Sequence, residues 1–139
     1  MKAVVCEQFR MTSTDGLQVV YARWRNRQPP RGLLQIAHGM GEHIGRYQVL
    51  IEELVHAGLV VYGKDHRGHG RTARSPKELG ELGPCGFNLM VKDMVQLSLK
   101  AREENPNQPF LEKPISKNVL VLAIRNAINI APDKVRKTL

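Results

Sequence analysis

The sequence has 139 residues, 42 % of them hydrophobic and 24 % charged, a composition that suits one soluble domain and excludes a fibrous or disordered chain. Lysine and arginine outnumber acids 21 to 13, for a net charge of +8. The basic residues are dispersed, with Arg23, Arg25, Arg27 and Arg31 and the C-terminal Lys134, Arg136 and Lys137 as the tightest groups, and no helix-turn-helix, zinc-finger or RRM signature accompanies them, so they read as solvated surface and no nucleic-acid partner is expected.

Residues 4–12 suit a first strand, opened by a four-residue apolar run too short for the h-region of a signal peptide. Thr14-Asp15-Gly16 reads as a hairpin corner. Leu17 to Trp24 is rich in β-formers, with Leu17, Val19 and Tyr21 on one face and Val20, Ala22 and Trp24 on the other. Two apolar faces predict a strand buried between layers. Gln28-Pro29-Pro30-Arg31-Gly32 breaks the chain, and Leu33 to Ala37 is a short buried run. Residues 46–57 predict a helix, because Tyr47, Leu50, Ile51, Leu54 and Val55 form one apolar stripe and Gly58 suits the C′ position. Leu59 to Tyr62 is another buried run. Residues 71–86 are polar and irregular. Asn88 to Glu104 predicts a second helix, with Met90, Met94, Leu97 and Ala101 near one face, ended by Asn105-Pro106-Asn107. A leading antiparallel hairpin followed by parallel βαβα places the chain in the α/β class. Cys6 and Cys85 lie far apart without a CxxC spacing, as two reduced structural thiols. No stretch approaches the roughly 18 apolar residues of a transmembrane helix, so a soluble, cytoplasmic protein is expected.

The chemistry-bearing residues lie in two loops, each following a buried strand. His38-Gly39-Met40-Gly41-Glu42-His43 follows Leu33–Ala37, and Asp65-His66-Arg67-Gly68-His69-Gly70 follows Leu59–Tyr62. Gly39, Gly41 and Gly45 approach a dinucleotide fingerprint, with Asp65 near the place of a ribose-binding acid. The last glycine comes one residue late, and a Rossmann unit does not open with a hairpin. A His-Gly turn at a strand's C-terminal end can instead present a backbone N–H, here that of Met40, to negative charge developing on an ester carbonyl oxygen. His38, His43, His66, His69 and Asp65 contain enough imidazole and carboxylate to hold zinc, but hydrogen bonding that shapes the loops is the preferred reading, and no metal or cofactor is expected.

The stretch LLQIAHGMGEHIGRYQVLIEELVHAGLVVYGKDHRGHGRTA closely resembles the start of the monoacylglycerol lipase and lysophospholipase group of α/β hydrolases, which includes serine aminopeptidase-like members. The ordered pieces are strand, HGMGEH, helix, strand and DHRGHG, and the resemblance runs from residue 7 to about residue 110. It implies the N-terminal part of an α/β-hydrolase sheet and a lipid ester substrate, a monoacylglycerol or lysophospholipid. It also implies that Met40 occupies the oxyanion-hole position, that His38, Gly39, Gly41, Glu42 and His43 shape that turn, and that Asp65, Arg67, Gly68, His69 and Gly70 form the second motif. None of these matches a triad position.

The family needs a GxSxG serine, then an acid, then a histidine. No GxSxG occurs: Ser13, Ser75, Ser98 and Ser116 all lack the flanking glycines, and all five histidines (38, 43, 56, 66 and 69) lie upstream of where that serine belongs. After Phe110 the sequence reads Leu111-Glu112-Lys113-Pro114-Ile115-Ser116-Lys117, where the family has its nucleophile strand. The expected organisation is therefore an incomplete α/β-hydrolase domain over 1–110 and a divergent tail over 111–139, in which Asn118–Ile124 forms a strand or residues 117–130 a helix. A truncated or spliced reading frame is expected, catalytically inactive, with an exposed sheet edge able to associate with a second copy or a complementing fragment.

Overall fold

The computed structural model describes residues 3–109, so the expectations for 111–139 lie outside the described residues. Two strands, β1 (Val5–Thr12) and β2 (Gln18–Arg25), form the antiparallel hairpin around Asp15-Gly16, in register from Val5 opposite Arg25 to Thr12 opposite Gln18. The corner closes through Ser13 N–H to Leu17 O at 2.8 Å and Gly16 N–H to Ser13 O at 2.9 Å. Next come β3 (Gly32–Ile36), a 3₁₀ turn (Ile44–Tyr47), α1 (Gln48–His56), β4 (Leu59–Lys64) and α2 (Gly86–Glu104). β4 inserts between β2 and β3, antiparallel to the first and parallel to the second, giving the order β1-β2-β4-β3. The antiparallel hairpin followed by parallel βαβα is thus the observed architecture.

Each face of the sheet is buried by one helix. Ala22 and Trp24 of β2, Leu34 of β3 and Leu59 and Val61 of β4 pack against Ile51, Leu54 and Val55 of α1 and against Ile44. On the other face, Val19 and Tyr21, Leu33, and Val60 and Tyr62 pack with Leu97 and Ala101 of α2 and Met11 of β1. The expected division of β2 into two apolar faces follows from its strand alternation. β4, with neighbours on both sides, is buried along its whole length.

The helix limits differ from expectation in instructive ways. The first helix opens as a 3₁₀ turn at Ile44, whose N–H is pinned by the Asp65 carboxylate at 2.9 Å, and becomes α-helical only at Gln48. The second begins at Gly86, two residues before the predicted Asn88, because left-handed Cys85 (φ 53°) turns its carbonyl to accept from Leu89 N–H at 3.0 Å. Cys6 and Cys85 are free and exposed. Among the described residues no helix is long and apolar enough to cross a membrane.

Leu97 is fully buried between α2 and the sheet. Truncating such a residue removes transfer energy and leaves a cavity. Leu97→Ala is expected to lower unfolding free energy by about 2–5 kcal/mol, seen as a lower urea midpoint at unchanged slope.

Candidate functional site

The two loops meet beyond the C-terminal ends of β3 and β4, which are parallel neighbours. Three histidines lace them together. His66 N–H donates to His38 Nε2 at 2.9 Å, so the proton of that ring sits on Nδ1, which donates to Gly39 O at 2.8 Å. Gly41 N–H donates to His69 Nε2 at 3.0 Å, which leaves His69 Nδ1–H to donate to Arg67 O at 2.9 Å. His66 Nε2–H donates to His38 O at 2.9 Å, and its Nδ1 accepts from the Lys64 ammonium. Every ring nitrogen of the three is engaged, and each ring bridges one loop to the other or closes its own. The His38 and His66 ring centroids lie 4.0 Å apart.

Burial sets the protonation of this lattice. It lowers the pKa of His38, and lowers that of His66 to about 3, with Lys64 and His38 adding to the latter shift. Lys64, buried at the end of β4, is pushed down to about 8 by the same desolvation. His38 and His66 are thereby held as neutral hydrogen-bonding struts at neutral pH.

Asp65 is the second clamp. One carboxylate oxygen accepts from Ile44 N–H at 2.9 Å and the other from Arg71 N–H at 2.8 Å, tying the start of the 3₁₀ turn to the end of the second loop. Thr72 completes the anchorage, donating its hydroxyl to Asp65 O at 2.7 Å and accepting from Val20 N–H at 3.0 Å. The glycines here answer to close approach. A Cβ on Gly70 would lie 2.4 Å from Asp65 Oδ2, and one on Gly68 would lie 2.1 Å from Glu81 O; both residues also have positive φ.

Arg67 points away from the loops into the body of the domain. Its Nε donates to Asp93 Oδ2 at 3.1 Å, and its terminal nitrogens donate to Ser13 Oγ at 2.9 Å and Asp15 Oδ2 at 2.8 Å. Ser13 also donates to Asp93. The guanidinium holds the Asp15 carboxyl down at about 2. This buried group welds the hairpin corner, the second loop and α2 together.

Within the Gly39-Met40-Gly41 turn one backbone donor is left over. Gly39 N–H donates to Glu42 Oε2 at 2.7 Å, an oxygen that also accepts from Tyr47 Oη at 2.9 Å, and these bonds lower the Glu42 pKa. Gly41 N–H goes to His69. Met40 N–H, between them, has no partner among the described residues, and the Met40 side chain is 59 % exposed. A carboxylate already covers Gly39 N–H, so this glycine turn repels a pyrophosphate where the nucleotide reading needs one.

His43, grouped with the other histidines by sequence, stands apart. It is exposed and lines a cavity of about 380 Å³ with Cys6, Trp24, Asp65 and Arg71. Among the described residues no group of three His, Cys, Asp or Glu side chains is arranged to hold a metal. Sequence reasoning missed Ser13, Lys64, Thr72 and Asp93. Only Asp93 left a signal, an acid on the apolar stripe between Met90 and Leu97.

A hairpin leading into a parallel β-α-β unit, with two hydrogen-bonded loops at the strand ends, defines the first part of an α/β-hydrolase domain. The sequence profile of the serine aminopeptidase, S33 family matches residues 28–112, and the chain belongs to that family. It is 37 % identical over 94 residues to the monoacylglycerol lipase of Mycolicibacterium smegmatis, covering 68 % of this chain and 32 % of the lipase. Protein K6 of Vaccinia virus (strain Western Reserve) is 36 % identical over 68 residues, 49 % of this chain and 84 % of the viral one. Among solved structures, a thermostable carboxyl esterase from Bacillus coagulans, in complex with glycerol, superposes with a TM-score of 0.69 at 33 % identity, over 76 % of this chain and 34 % of the esterase. The chain thus spans about a third of the lipase and of the esterase it matches.

Two measurements check the roles given to these side chains. Asp93→Ala removes the buried carboxylate beside the Arg67 guanidinium, leaving it Asp15 alone as counter-charge, and is expected to cost about 3 kcal/mol in a urea titration. The second concerns pH. His66 titrates near 3 in the fold against an ordinary 6.5, so the unfolded chain takes up a proton that the folded one refuses. Its contribution to stability is lost as pH falls from 6.5 towards 3. Lys64, at about 8 against 10.5, releases its proton first in the fold, so stability rises between pH 8 and 10.5. Urea midpoints across both windows should show these slopes, and His66→Gln should flatten the acid one.

Proposed function

We propose that residues 3–109 form the oxyanion-stabilising portion of a serine ester hydrolase whose substrate is a lipid ester, a monoacylglycerol or lysophospholipid, with Met40 N–H as the donor. The observation that carries this reading is the unpartnered Met40 N–H between two committed neighbours, Gly39 bonded to Glu42 and Gly41 bonded to His69. A donor held by its neighbours and free of a ground-state partner is what an ester carbonyl needs as it gains negative charge. The likeness to the monoacylglycerol lipase supports the substrate class. His38, Gly39, Gly41, Glu42 and His69 keep the donor aimed, while Asp65, Arg67, Gly68 and Gly70 fix the second loop against the first. His43 takes no part.

The rest of the reaction needs a nucleophile, an acid and a base, and no GxSxG occurs in residues 1–139. Residues 1–139 by themselves therefore hydrolyse no ester. A fluorophosphonate serine-hydrolase probe is expected to leave the purified chain unlabelled beside a labelled monoacylglycerol lipase. A stoichiometric adduct on any of its four serines would overturn this.

The donor is tested by transplantation. Residues 1–109, grafted in place of the matching stretch of the M. smegmatis lipase, should sustain ester hydrolysis. Met40→Pro in that chimera removes the N–H and should lower kcat about 10²–10³-fold with little change in KM. An unchanged kcat in a folded variant would take the oxyanion role from Met40.

A further inference from the structure

The cavity of about 380 Å³ that His43 lines lies on the α1 face of β1 and β2, between the 3₁₀ turn and the end of the second loop. Its volume falls in the range of small-molecule pockets. The floor is apolar, made by Val20, Ala22 and Trp24 of β2 and by Ile44. Ala22, Trp24 and Ile44 belong to the core cluster that α1 covers. β1 continues the same face with Cys6 opposite Trp24 and Gln8 opposite Ala22, so the apolar floor gives way to a polar wall. Arg71 stands on that wall and donates from its guanidinium to Gln8 Oε1. By strand alternation Arg10, opposite Val20, extends the row of Cys6 and Gln8. These two cations differ from their neighbours in the fold. Arg23, Arg25, Arg46, Arg67 and Arg74 each reach a carboxylate. Among the described residues Arg10 and Arg71 form no ion pair. Asp65 also lines the cavity, with its two oxygens taken up by Ile44 N–H and Arg71 N–H.

We propose that this cavity binds a free anionic amphiphile, a carboxylate with one short alkyl chain, its head on Arg71 and its tail against Val20, Ala22, Trp24 and Ile44. A guanidinium holds a carboxylate best through two parallel N–H···O bonds. Arg71 gives Nη1 to Gln8, and no acceptor among the described residues bonds to its Nε–Nη2 edge, the fork such a head group needs. The bond to Gln8 fixes the guanidinium without neutralising it, because an amide oxygen carries no charge. Arg10 adds a weaker pull, since it is exposed and screened. The floor decides the rest of the ligand. A bare anion leaves that apolar surface wet, and an alcohol of the same length leaves the guanidinium without its counter-charge. Val20, Ala22 and Trp24 are only 3, 5 and 4 % exposed, so contact requires a tail that enters the recess, which a lipid anchored in a bilayer by two chains does not supply. The inference stands on the cavity and its unmatched cations and does not depend on the hydrolytic reading.

The test uses the exposed Cys6 thiol on the cavity wall as reporter and the exposed Cys85, outside the cavity, as internal control. In the intact chain, alkylation by iodoacetamide, mapped by mass spectrometry, should be slowed by octanoate at Cys6 and unchanged at Cys85. Acetate, octanol and inorganic phosphate should each need roughly tenfold higher concentration or more for the same protection. Arg71→Met, and Gln8→Glu, which hands the guanidinium an internal carboxylate, should each weaken octanoate protection roughly tenfold or more at an unchanged urea midpoint. Should Arg71→Met lower that midpoint, Gln8→Glu decides, since it keeps the guanidinium in place. Octanoate that protects neither cysteine, or both alike, overturns the proposal, as does protection undiminished in Gln8→Glu. Equal protection by octanol would leave an apolar cleft only, and equal protection by acetate or phosphate an anion site only; either result overturns it. Protection of Cys6 by phosphatidylglycerol vesicles and not by octanoate would assign the surface to a membrane and overturn it too.

Discussion

The Asp65 carboxylate is the constraint on which the rest of this structure depends. Two loops of irregular backbone meet above the strands, and their N–H groups need acceptors in a place where water is scarce. Asp65 supplies two, for Ile44 at the opening of the 3₁₀ turn and for Arg71 at the close of the second loop. The neighbouring sequence follows from that. Gly70 is a glycine because a side chain would strike the carboxylate. Thr72 is a threonine because its hydroxyl can both bond to the Asp65 carbonyl and receive Val20 N–H, carrying the clamp into the sheet. α1 starts late because its approach is fixed at Ile44.

The histidines solve the same problem with a different chemistry. A neutral imidazole offers one donor and one acceptor on opposite sides of a rigid ring, which lets His38 and His69 each take an N–H from the facing strand-end loop or its neighbour and return a proton to a carbonyl nearby. For His38 burial favours the neutral state that this use requires, since a charged ring has two donors and would orphan the N–H it now accepts. Lys64 takes the remaining place, giving a proton to His66 from below. A cluster of histidines that resembles a ligand set in the sequence is thus fully spent on backbone groups.

Much of this was legible in the sequence, and the limits have physical causes. The two faces of β2 showed because alternation has period two and both faces are apolar. The α1 stripe showed because Ile51, Leu54 and Val55 recur at helical spacing. The insertion of β4 between β2 and β3 leaves no local trace, since it is a choice of neighbour and not of conformation. Arg67 read as a member of the loop motif, yet its side chain leaves the loop for Ser13 and Asp93, partners 54 and 26 residues away in the chain. Asp93 was the one visible clue, an acid on a stripe that should be apolar, and an unpaired acid there would be untenable. His43 was grouped with the others by proximity in sequence alone; it is exposed and makes no ring contact with His38, His66 or His69.

On the proposed reading, the separability of the oxyanion turn from the rest of an active site has a physical basis in these bonds. Every contact that orients the Met40 peptide comes from the two loops themselves: Glu42 and Tyr47 on one side, and His69 through Gly41 on the other. The second loop is anchored through Arg67 and Asp65 to the hairpin, α2 and β2. No buried side-chain nitrogen or oxygen among the described residues lacks a partner. Among the described residues β3 is the last strand of the sheet. The donor is therefore preorganised by the first strands and loops.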